Sequence, residues 1–325
     1  SAVATVDLTK VAAADFGTYT LEVTNSVGTV TSAPILLREE NRGHDPLQFF
    51  SSRNPGPQPN ALFSLAFSPS RFVAVGANGV ILNSTDSGLT WQTELSGFAP
   101  ALNAVVYDAV QSQFLYGGGF TQLATSPNGT TWTTRAFPGT NGSFPGIASN
   151  GATGASHRYV GVGGDFAQRP TGALIRVSAD AGATWTAATP TGATGPLNSV
   201  AFGHGRFVAV GASGTIIVSS DQLGTTWSAA TLTTTTGQTF NRVAFANGTF
   251  VAVGTSATSP NMGVIYTSSD GLTFTPRTSN ATARNVLAVA HLSGTGSTAK
   301  WAAVTAATLA TPTAAASPAL ILVSN

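Results

Sequence analysis

The octapeptide at residues 178–185 reads Ser-Ala-Asp-Ala-Gly-Ala-Thr-Trp, and its pattern returns along most of the chain. Residues 84–91 repeat Ser-x-Asp-x-Gly-x-Thr-Trp completely, and variants occur at 125–132, 219–227 and 268–274. The Asp carboxylate can accept backbone N–H groups inside a tight turn, and the Gly permits positive φ. We expect the aromatic residue to return on the next strand and pack under the turn. Each copy therefore predicts a hairpin between two strands of one sheet.

A strand of the type Arg-Phe-Val-Ala-Val-Gly precedes these octapeptides and recurs every 40–50 residues. Its six copies lie at 71–76, 113–117, 158–163, 206–211, 249–254 and, in a weaker form, 300–304. A further strand precedes each copy and another follows it. Self-similarity at this period is typical of solenoids and propellers, so the chain is predicted to be built from six four-stranded units.

The octapeptides resemble the Asp-box, or bacterial neuraminidase, repeat. This resemblance implies an all-β fold and a six-bladed β-propeller over residues 46–325. It also implies that the box residues are structural rather than catalytic. These residues are Asp86, Gly88, Trp91, Gly129, Trp132, Asp180, Gly182, Trp185, Asp221, Gly224, Trp227, Asp270 and Phe274.

The last of the six units lacks a fourth strand, because the sequence stops at Asn325 soon after the strand at 318–323. Residues 49–62 have the pattern of a fourth strand followed by its loop. We therefore predict that residues 46–52 complete the last blade. Closure of this kind would remove the open sheet edges of the propeller.

Residues 1–38 form a different region, with predicted strands at 4–8, 19–23 and 29–31. The run Asp15–Tyr19 resembles the corner before strand F of an immunoglobulin-like domain, where an Asp-x-Gly-x-Tyr pattern places a Tyr hydroxyl on the backbone. We interpret 1–38 as the C-terminal strands of such a β-sandwich, completed by upstream residues or by a neighbouring chain. Residues 39–45 are the predicted linker.

The composition restricts the possible partners. Only 8% of residues are charged, the net charge is +1 and there is no cysteine, which excludes disulfides, thiolate metal sites and Cys nucleophiles. We expect no nucleic-acid partner, no membrane insertion, no cofactor and no metal. The low charge and the Thr- and Ala-rich repeats resemble large exported bacterial proteins, so we expect an extracellular or cell-surface location.

Few residues of the propeller suit catalysis. Sialidases, which resemble this chain in their repeats, need three arginines, a Tyr–Glu pair and an acidic general acid. The propeller has one Glu, Glu94, and its Asp residues outside the boxes are Asp45, Asp108 and Asp165. Other glycoside hydrolases need two carboxylates about 5–10 Å apart. His157 and His204 are expected to be solvated loop residues, and no catalytic residue is predicted.

A candidate binding face lies in the loops that join second to third strands and fourth to first strands. An aromatic ring, an amide, a carboxylate and an arginine there could hold a sugar or a peptide, although they could equally be ordinary loop residues. The candidates are Asp165, Phe166, Gln168, Arg169, Arg135 and Arg284.

The sequence thus favours a non-catalytic binding, adhesion or structural module of a large exported bacterial protein, with a glycan or protein ligand. One alternative is a glycan-active hydrolase of sialidase-like fold, and another is a self-assembling extracellular filament or scaffold subunit. A role like that of photosystem II stability factors is a further alternative. The resemblance to those proteins implies a seven-bladed propeller, so the six repeats of this chain argue against that role.

Overall fold

A computed structural model of the 325-residue chain describes most of residues 60–305 and short segments on either side. The described residues are 17–20, 22–25, 28–31, 35–37, 60–97, 100–120, 122–135, 142–165, 172–233, 237–256, 262–278, 285–292, 300–305 and 321–324. The chain divides into two compact units, Ser1–Ser52 and Arg53–Asn325.

The first unit contains two antiparallel strand pairs among its described residues. Strand β1 (Gly17–Tyr19) pairs with β4 (Ile35–Leu37), and β2 (Glu22–Asn25) pairs with β3 (Gly28–Thr31). The predicted strand at 4–8 lies outside the described residues. The likeness of this unit to an immunoglobulin-like domain stays a prediction.

The second unit begins with four antiparallel sheets of four strands each, in which neighbours in sequence are neighbours in the sheet. Sheet one consists of β5 (Leu62–Ser68), β6 (Arg71–Gly76), β7 (Val80–Ser84) and β8 (Gln92–Leu95). Sheet two consists of β9 (Leu102–Asp108), β10 (Gln113–Gly118), β11 (Leu123–Ser126) and β12 (Thr133–Thr134). Sheet three consists of β13 (Gly142–Ser149), β14 (Tyr159–Asp165), β15 (Gly172–Ser178) and β16 (Thr186–Ala188). Sheet four consists of β17 (Leu197–Gly203), β18 (Arg206–Gly211), β19 (Ile216–Ser219) and β20 (Trp227–Ala229).

Two more sheets follow. The short strand β21 (Thr231–Leu232) leaves sheet four and pairs in parallel with the last strand of sheet five. Sheet five consists of β22 (Thr239–Ala246), β23 (Thr249–Thr255), β24 (Gly263–Ser268) and β25 (Thr273–Arg277). The described strands of sheet six are β26 (Val286–Leu292), β27 (Lys300–Thr305) and β28 (Ile321–Val323). The predicted fourth strand at 46–52 lies outside the described residues.

Local chemistry explains why the first hairpin of sheet four forms. Between β17 and β18 both turn residues, His204 and Gly205, have positive φ, as the tight turn that suits two twisted strands requires. Phe202 faces Phe207 across this hairpin, with the ring centroids 4.8 Å apart. Aromatic cross-strand pairs of this kind stabilise antiparallel sheets.

Consecutive sheets pack face to face, and each first strand contacts the first strand of the next sheet. In the core between sheets three and four, Val162 packs in one cluster with Val200. Between sheets four and five, Val210 packs in one cluster with Val243. We call the face of a sheet that points to the preceding sheet its leading face, and the opposite face its trailing face. Val200 is thus on a leading face and Val210 on a trailing face.

A β-bulge in the first strands makes polar links between the sheets. The register shifts once in every first strand, for example between Leu197 and Ser199 in β17. The intervening Asn198 donates its side-chain N–H to the Phe240 carbonyl in β22 at 2.8 Å. Asn241 does the same to the Val286 carbonyl in β26, also at 2.8 Å. A bulge leaves its extra residue outside the ladder, so the amide is free to bind the neighbouring sheet.

Candidate ligand-binding site

The first predicted binding face lies largely outside the described residues. Phe166, Gln168, Arg169 and Arg284 fall there, and Asp165 is placed as the last residue of β14, paired with Gly172. Arg135 follows β12, and its Nε donates to Thr125 Oγ1 of the same sheet at 2.8 Å. The hypothesis that these residues bind a ligand stays a prediction.

In the two complete octapeptides the carboxylate is hydrogen-bonded by its own turn. Asp180 Oδ1 accepts the Thr184 N–H and the Ser178 hydroxyl, both at 2.8 Å, and Oδ2 accepts the Thr184 hydroxyl at 2.5 Å. The Trp185 indole N–H donates to the Gly182 carbonyl at 3.1 Å. Asp86 has the same partners, and the Thr90 hydroxyl and N–H lower the pKa of Asp86 to about 2. These carboxylates are therefore occupied within their turns.

The three variant motifs, of eight, nine and seven residues, keep part of this pattern. The Asn128 amide oxygen accepts the N–H groups of Thr130 and Thr131 at 3.0 and 2.9 Å, as a carboxylate would. The Asp221 carboxylate accepts the Leu223 N–H at 2.8 Å, and that of Asp270 accepts the Leu272 and Thr273 N–H groups at 2.8 and 3.0 Å. The turn is therefore retained where the full motif is not.

The octapeptides also contact the preceding sheet. Trp185 of sheet three packs in one cluster with Leu115 and Leu123 of sheet two. A side-chain carbon added to Gly224 would lie 2.7 Å from Val160 of sheet three. Only glycine fits at that approach, and Gly224 also has a φ of 68°, which favours glycine. The motif therefore joins neighbouring sheets as well as neighbouring strands.

A buried polar cluster joins sheets two and three, and the sequence did not predict it. Asp108 Oδ2 lies 2.7 Å from His157 Nε2 and accepts the Ser149 hydroxyl at 2.5 Å. His157 was expected to be solvated, but its side chain is 2% exposed, because it is covered between the two sheets. His204, in contrast, is exposed in its turn, as expected.

This cluster is not arranged for nucleophilic catalysis. Ser149 and His157 share one oxygen of Asp108, whereas a catalytic triad places the imidazole between the carboxylate and the nucleophile. Burial acts to raise the pKa of Asp108, but the hydrogen bonds from Ser149 and His157 outweigh it and lower the pKa. A buried acid held in its charged form by two donors stabilises the junction between sheets.

The first strands of sheets one to five together line a cavity of about 170 Å³. Its lining residues include Val105, Ile147, Val200 and Val243, which are almost fully buried in the packing between sheets. The small residues Ser64, Ala104, Gly146 and Ser199 lie between them. Because five consecutive first strands contribute, this cavity lies at the centre around which the sheets are arranged. It is the candidate ligand-binding site.

Arg242 is the one charged residue among the described residues that line this cavity. It is partly buried, and burial lowers the pKa of its guanidinium. The sequence analysis did not single it out. The sequence does distinguish Arg242, because the residues that directly follow the β-bulge in the other first strands are all small.

No metal site or membrane-spanning helix is found in the part of the chain that the structure describes. That part contains no group of three or more His, Asp or Glu side chains that could hold a metal ion. It also has no helix that is long and apolar enough to cross a membrane.

No family model and no curated protein matches the sequence, but solved structures match the fold. YCF48 from Cyanidioschyzon merolae superposes with a TM-score of 0.53 at 14% identity, covering 81% of this chain and 82% of that one. YCF48 bound to D1 peptide superposes with a TM-score of 0.51 at 13% identity, covering 71% of each chain. The GH74 xyloglucanase from Xanthomonas campestris gives 0.51 at 17% identity, covering 67% of this chain and 38% of the xyloglucanase.

These neighbours are β-propellers, so the predicted all-β propeller fold is confirmed. Identities this low show the fold alone.

Proposed function

We propose that this chain is a non-catalytic, protein-binding module of an exported or cell-surface bacterial protein. In this proposal a six-bladed Asp-box propeller binds the ligand, and residues 1–38 belong to an immunoglobulin-like domain. The observation that carries the proposal is the central cavity, where five first strands converge on one arginine that has no partner among the described residues. A cleft in which a few placed polar groups converge is the usual form of a binding site.

The acids that the structure describes in the propeller support binding over catalysis. Those of the octapeptides accept hydrogen bonds inside their turns, and Asp108 is held by Ser149 and His157. Burial raises the pKa of Glu94, and the charge of Arg71 opposes this. A glycosidase needs two carboxylates facing one substrate, and none of these acids is among the residues that line the cavity.

The structural neighbours differ in function, because one is a xyloglucanase and another was solved with a bound peptide. The peptide complex of YCF48 supports a peptide or protein ligand for this chain. A glycan is the alternative ligand for the same binding module.

Binding to a peptide array and to a glycan array, with the intact chain as the probe, tests the proposal. We expect selective binding to a subset of peptides and no turnover of xyloglucan or sialosides. Selective binding to glycans alone would move the ligand class to carbohydrates. Release of reducing sugar by the wild-type chain, and not by a heat-denatured control, would contradict the non-catalytic assignment.

A second candidate function is a self-assembling scaffold subunit, which the surface of sheet one favours. Leu62, Leu65 and Phe67 are exposed on its leading face, and Leu287 and Val304 are exposed on sheet six. Apolar side chains grouped in this way mark interaction surfaces. Sedimentation velocity over a hundredfold concentration range tests this candidate. A constant monomer would exclude it, and a growing series of oligomers would support it.

A further inference from the structure

We infer that the central cavity binds a carboxylate of an acidic peptide or of a peptide C-terminus, and that Arg242 receives it. This inference rests on the proposed binding function and names its ligand class. It is carried by the position, the charge and the surroundings of this one side chain.

The position is an exception within an otherwise regular set. In each first strand one residue follows the β-bulge directly, and in β22 it is Arg242. In the other five strands the corresponding residues are Ser64, Ala104, Gly146, Ser199 and Ala288. Small residues let the first strands approach one another at the centre. A guanidinium there is therefore not required by the packing that the repeats share.

The charge of Arg242 has no counterpart in the part of the chain that the structure describes. Arg71, Arg158 and Arg277 each donate a hydrogen bond to an amide, carbonyl or hydroxyl oxygen. Arg242 makes no hydrogen bond or ion pair with any described residue, and none of the described residues that line the cavity is an acid. Taking a cation out of water without a partner is unfavourable. An anion in the cavity would offset that cost.

The surroundings select a carboxylate over a larger or more highly charged group. The volume of about 170 Å³ corresponds to about five or six water molecules, which suits a carboxylate on a short side chain. Ser64 and Ser199 are already hydrogen-bonded to the backbone of Val105 and Val243, so among the described lining side chains the guanidinium is the one left to bind the ligand. A guanidinium binds a carboxylate through two parallel hydrogen bonds. A phosphate dianion would normally have a second cation, and the cavity provides none among the described residues.

The residues beside the guanidinium limit the size of what accompanies the carboxylate. Ala104, Gly146 and Ser199 line the cavity together with Arg242, and their short side chains leave room for one or two methylene groups. The inference therefore predicts a carboxylate on a short stem as the ligand.

The test compares wild type with Arg242→Gln, Arg242→Lys and the control Arg277→Gln. Arg277 is an exposed arginine that bonds Thr267 in its own sheet. Synthetic eight-residue peptides are compared in four forms: with both a free C-terminus and acidic side chains, with either one alone, and as an amidated set in which Asp and Glu are also replaced by Asn and Gln. The two forms with one carboxylate source distinguish a C-terminus from an acidic side chain. Affinity is measured by fluorescence anisotropy at constant ionic strength, and thermal melting checks that each variant folds.

We expect the carboxylate peptides to bind wild type and the control at least tenfold more tightly than the amidated set. Arg242→Gln should remove that preference, and Arg242→Lys should keep part of it, because an ammonium retains the charge but loses the two-pronged geometry. The melting temperature of Arg242→Gln should not fall, since the side chain has no partner to lose.

The outcomes separate the two proposals. Peptide binding that Arg242→Gln leaves unchanged would overturn the carboxylate site and leave the binding function standing. Equal affinity for amidated and free peptides would do the same. No binding of any of these peptides by wild type would overturn the carboxylate site, and the peptide and glycan arrays would then decide the binding function separately.

Discussion

Sheets one and four contain the same second strand, Arg-Phe-Val-Ala-Val-Gly, at 71–76 and at 206–211. Their first strands are also alike, yet their leading faces differ. Leu65 of sheet one is 58% exposed, whereas Val200, at the same place in sheet four, is 6% exposed. Sheet four lies between two other sheets, and sheet one packs on sheet two alone among its described neighbours. Burial therefore depends on the neighbouring sheet and not on the sequence of the strand.

Sheet six shows the complementary difference on its trailing face. Val304 is 42% exposed, whereas the corresponding Val210 of sheet four is fully buried. At four junctions the equivalents of Val304 and Leu65 pack in one cluster, for example Val75 with Val105. The two exposed faces are therefore the two halves of a junction of the same kind. We predict that they come together when the propeller closes.

The largest effect is expected from removing the segment that is predicted to complete sheet six. Deletion of residues 44–53 should abolish cooperative unfolding or convert the chain to oligomers, because sheet six would lose a strand and expose an edge. Circular dichroism melting and light scattering would measure this. Deletion of residues 1–38 is the matched control and should leave the melting temperature of the propeller nearly unchanged. An unchanged melt after the first deletion would refute closure by this segment.

The next largest effect on the free energy of unfolding is expected from placing an aspartate at equivalent positions of sheets four and one. Val200→Asp buries an unpaired carboxylate between sheets three and four and should destabilise the protein by about 4 kcal/mol. If sheet six covers sheet one in solution, Leu65→Asp should cost about 2 kcal/mol or more, and urea unfolding would measure both. A cost for Leu65→Asp below about 0.5 kcal/mol, the range of surface substitutions, would show that the face is open.

A cysteine pair identifies what covers the face. The chain has no cysteine, so Leu65→Cys combined with Val304→Cys gives an unambiguous product on a non-reducing gel. A fast-migrating monomer would show that the chain closes on itself. A ladder of oligomers would show that the trailing face of a second copy takes that place, as the scaffold candidate requires.

The next smaller effect comes from replacing a glycine of the octapeptide turn by alanine. It separates the free-energy cost of backbone strain in the turn from that of a close contact with the preceding sheet. Gly224 and Gly88 are equivalent, with φ of 68° and 84°, so alanine should cost about 1 kcal/mol at either position from backbone strain. At Gly224 the added carbon also meets Val160 at 2.7 Å, whereas at Gly88 the nearest atom belongs to Trp91 of the same turn at 3.8 Å. We expect Gly224→Ala to cost at least 1 kcal/mol more in chemical denaturation. Equal costs would indicate that Gly88 is also covered, and so would support closure.

The fold and the site differ in how far the sequence could predict them. The octapeptides and the strands before them use only neighbouring residues, such as Asp180 with Thr184, so their pattern is visible in the sequence. The central cavity and the pair of Asp108 with His157 join residues 40 or more positions apart. His157 was wrongly expected to be solvated because nothing near it in sequence indicates the carboxylate that binds it. Arg242 is informative only after the six repeats are aligned at their bulges.

The smallest effect is expected from pH at the closed junction between sheets two and three. The pKa of Asp108 is lowered in the folded protein, so at acidic pH the unfolded chain binds the extra proton. Its contribution to stability is complete above the usual Asp pKa of about 4 and is lost as the pH falls through the folded value. Asp108→Asn should therefore reduce stability near pH 7 and weaken its dependence on pH below about 4. Melting curves from pH 2.5 to 7 would measure this, with Asp221→Asn as the control in an exposed turn. Asp108→Asn could leave unchanged both the melting temperature at pH 7 and its decrease at acidic pH. In that case the buried cluster would not stabilise the junction between sheets two and three. Apolar packing alone would then be the difference between this junction and the exposed faces of sheets one and six.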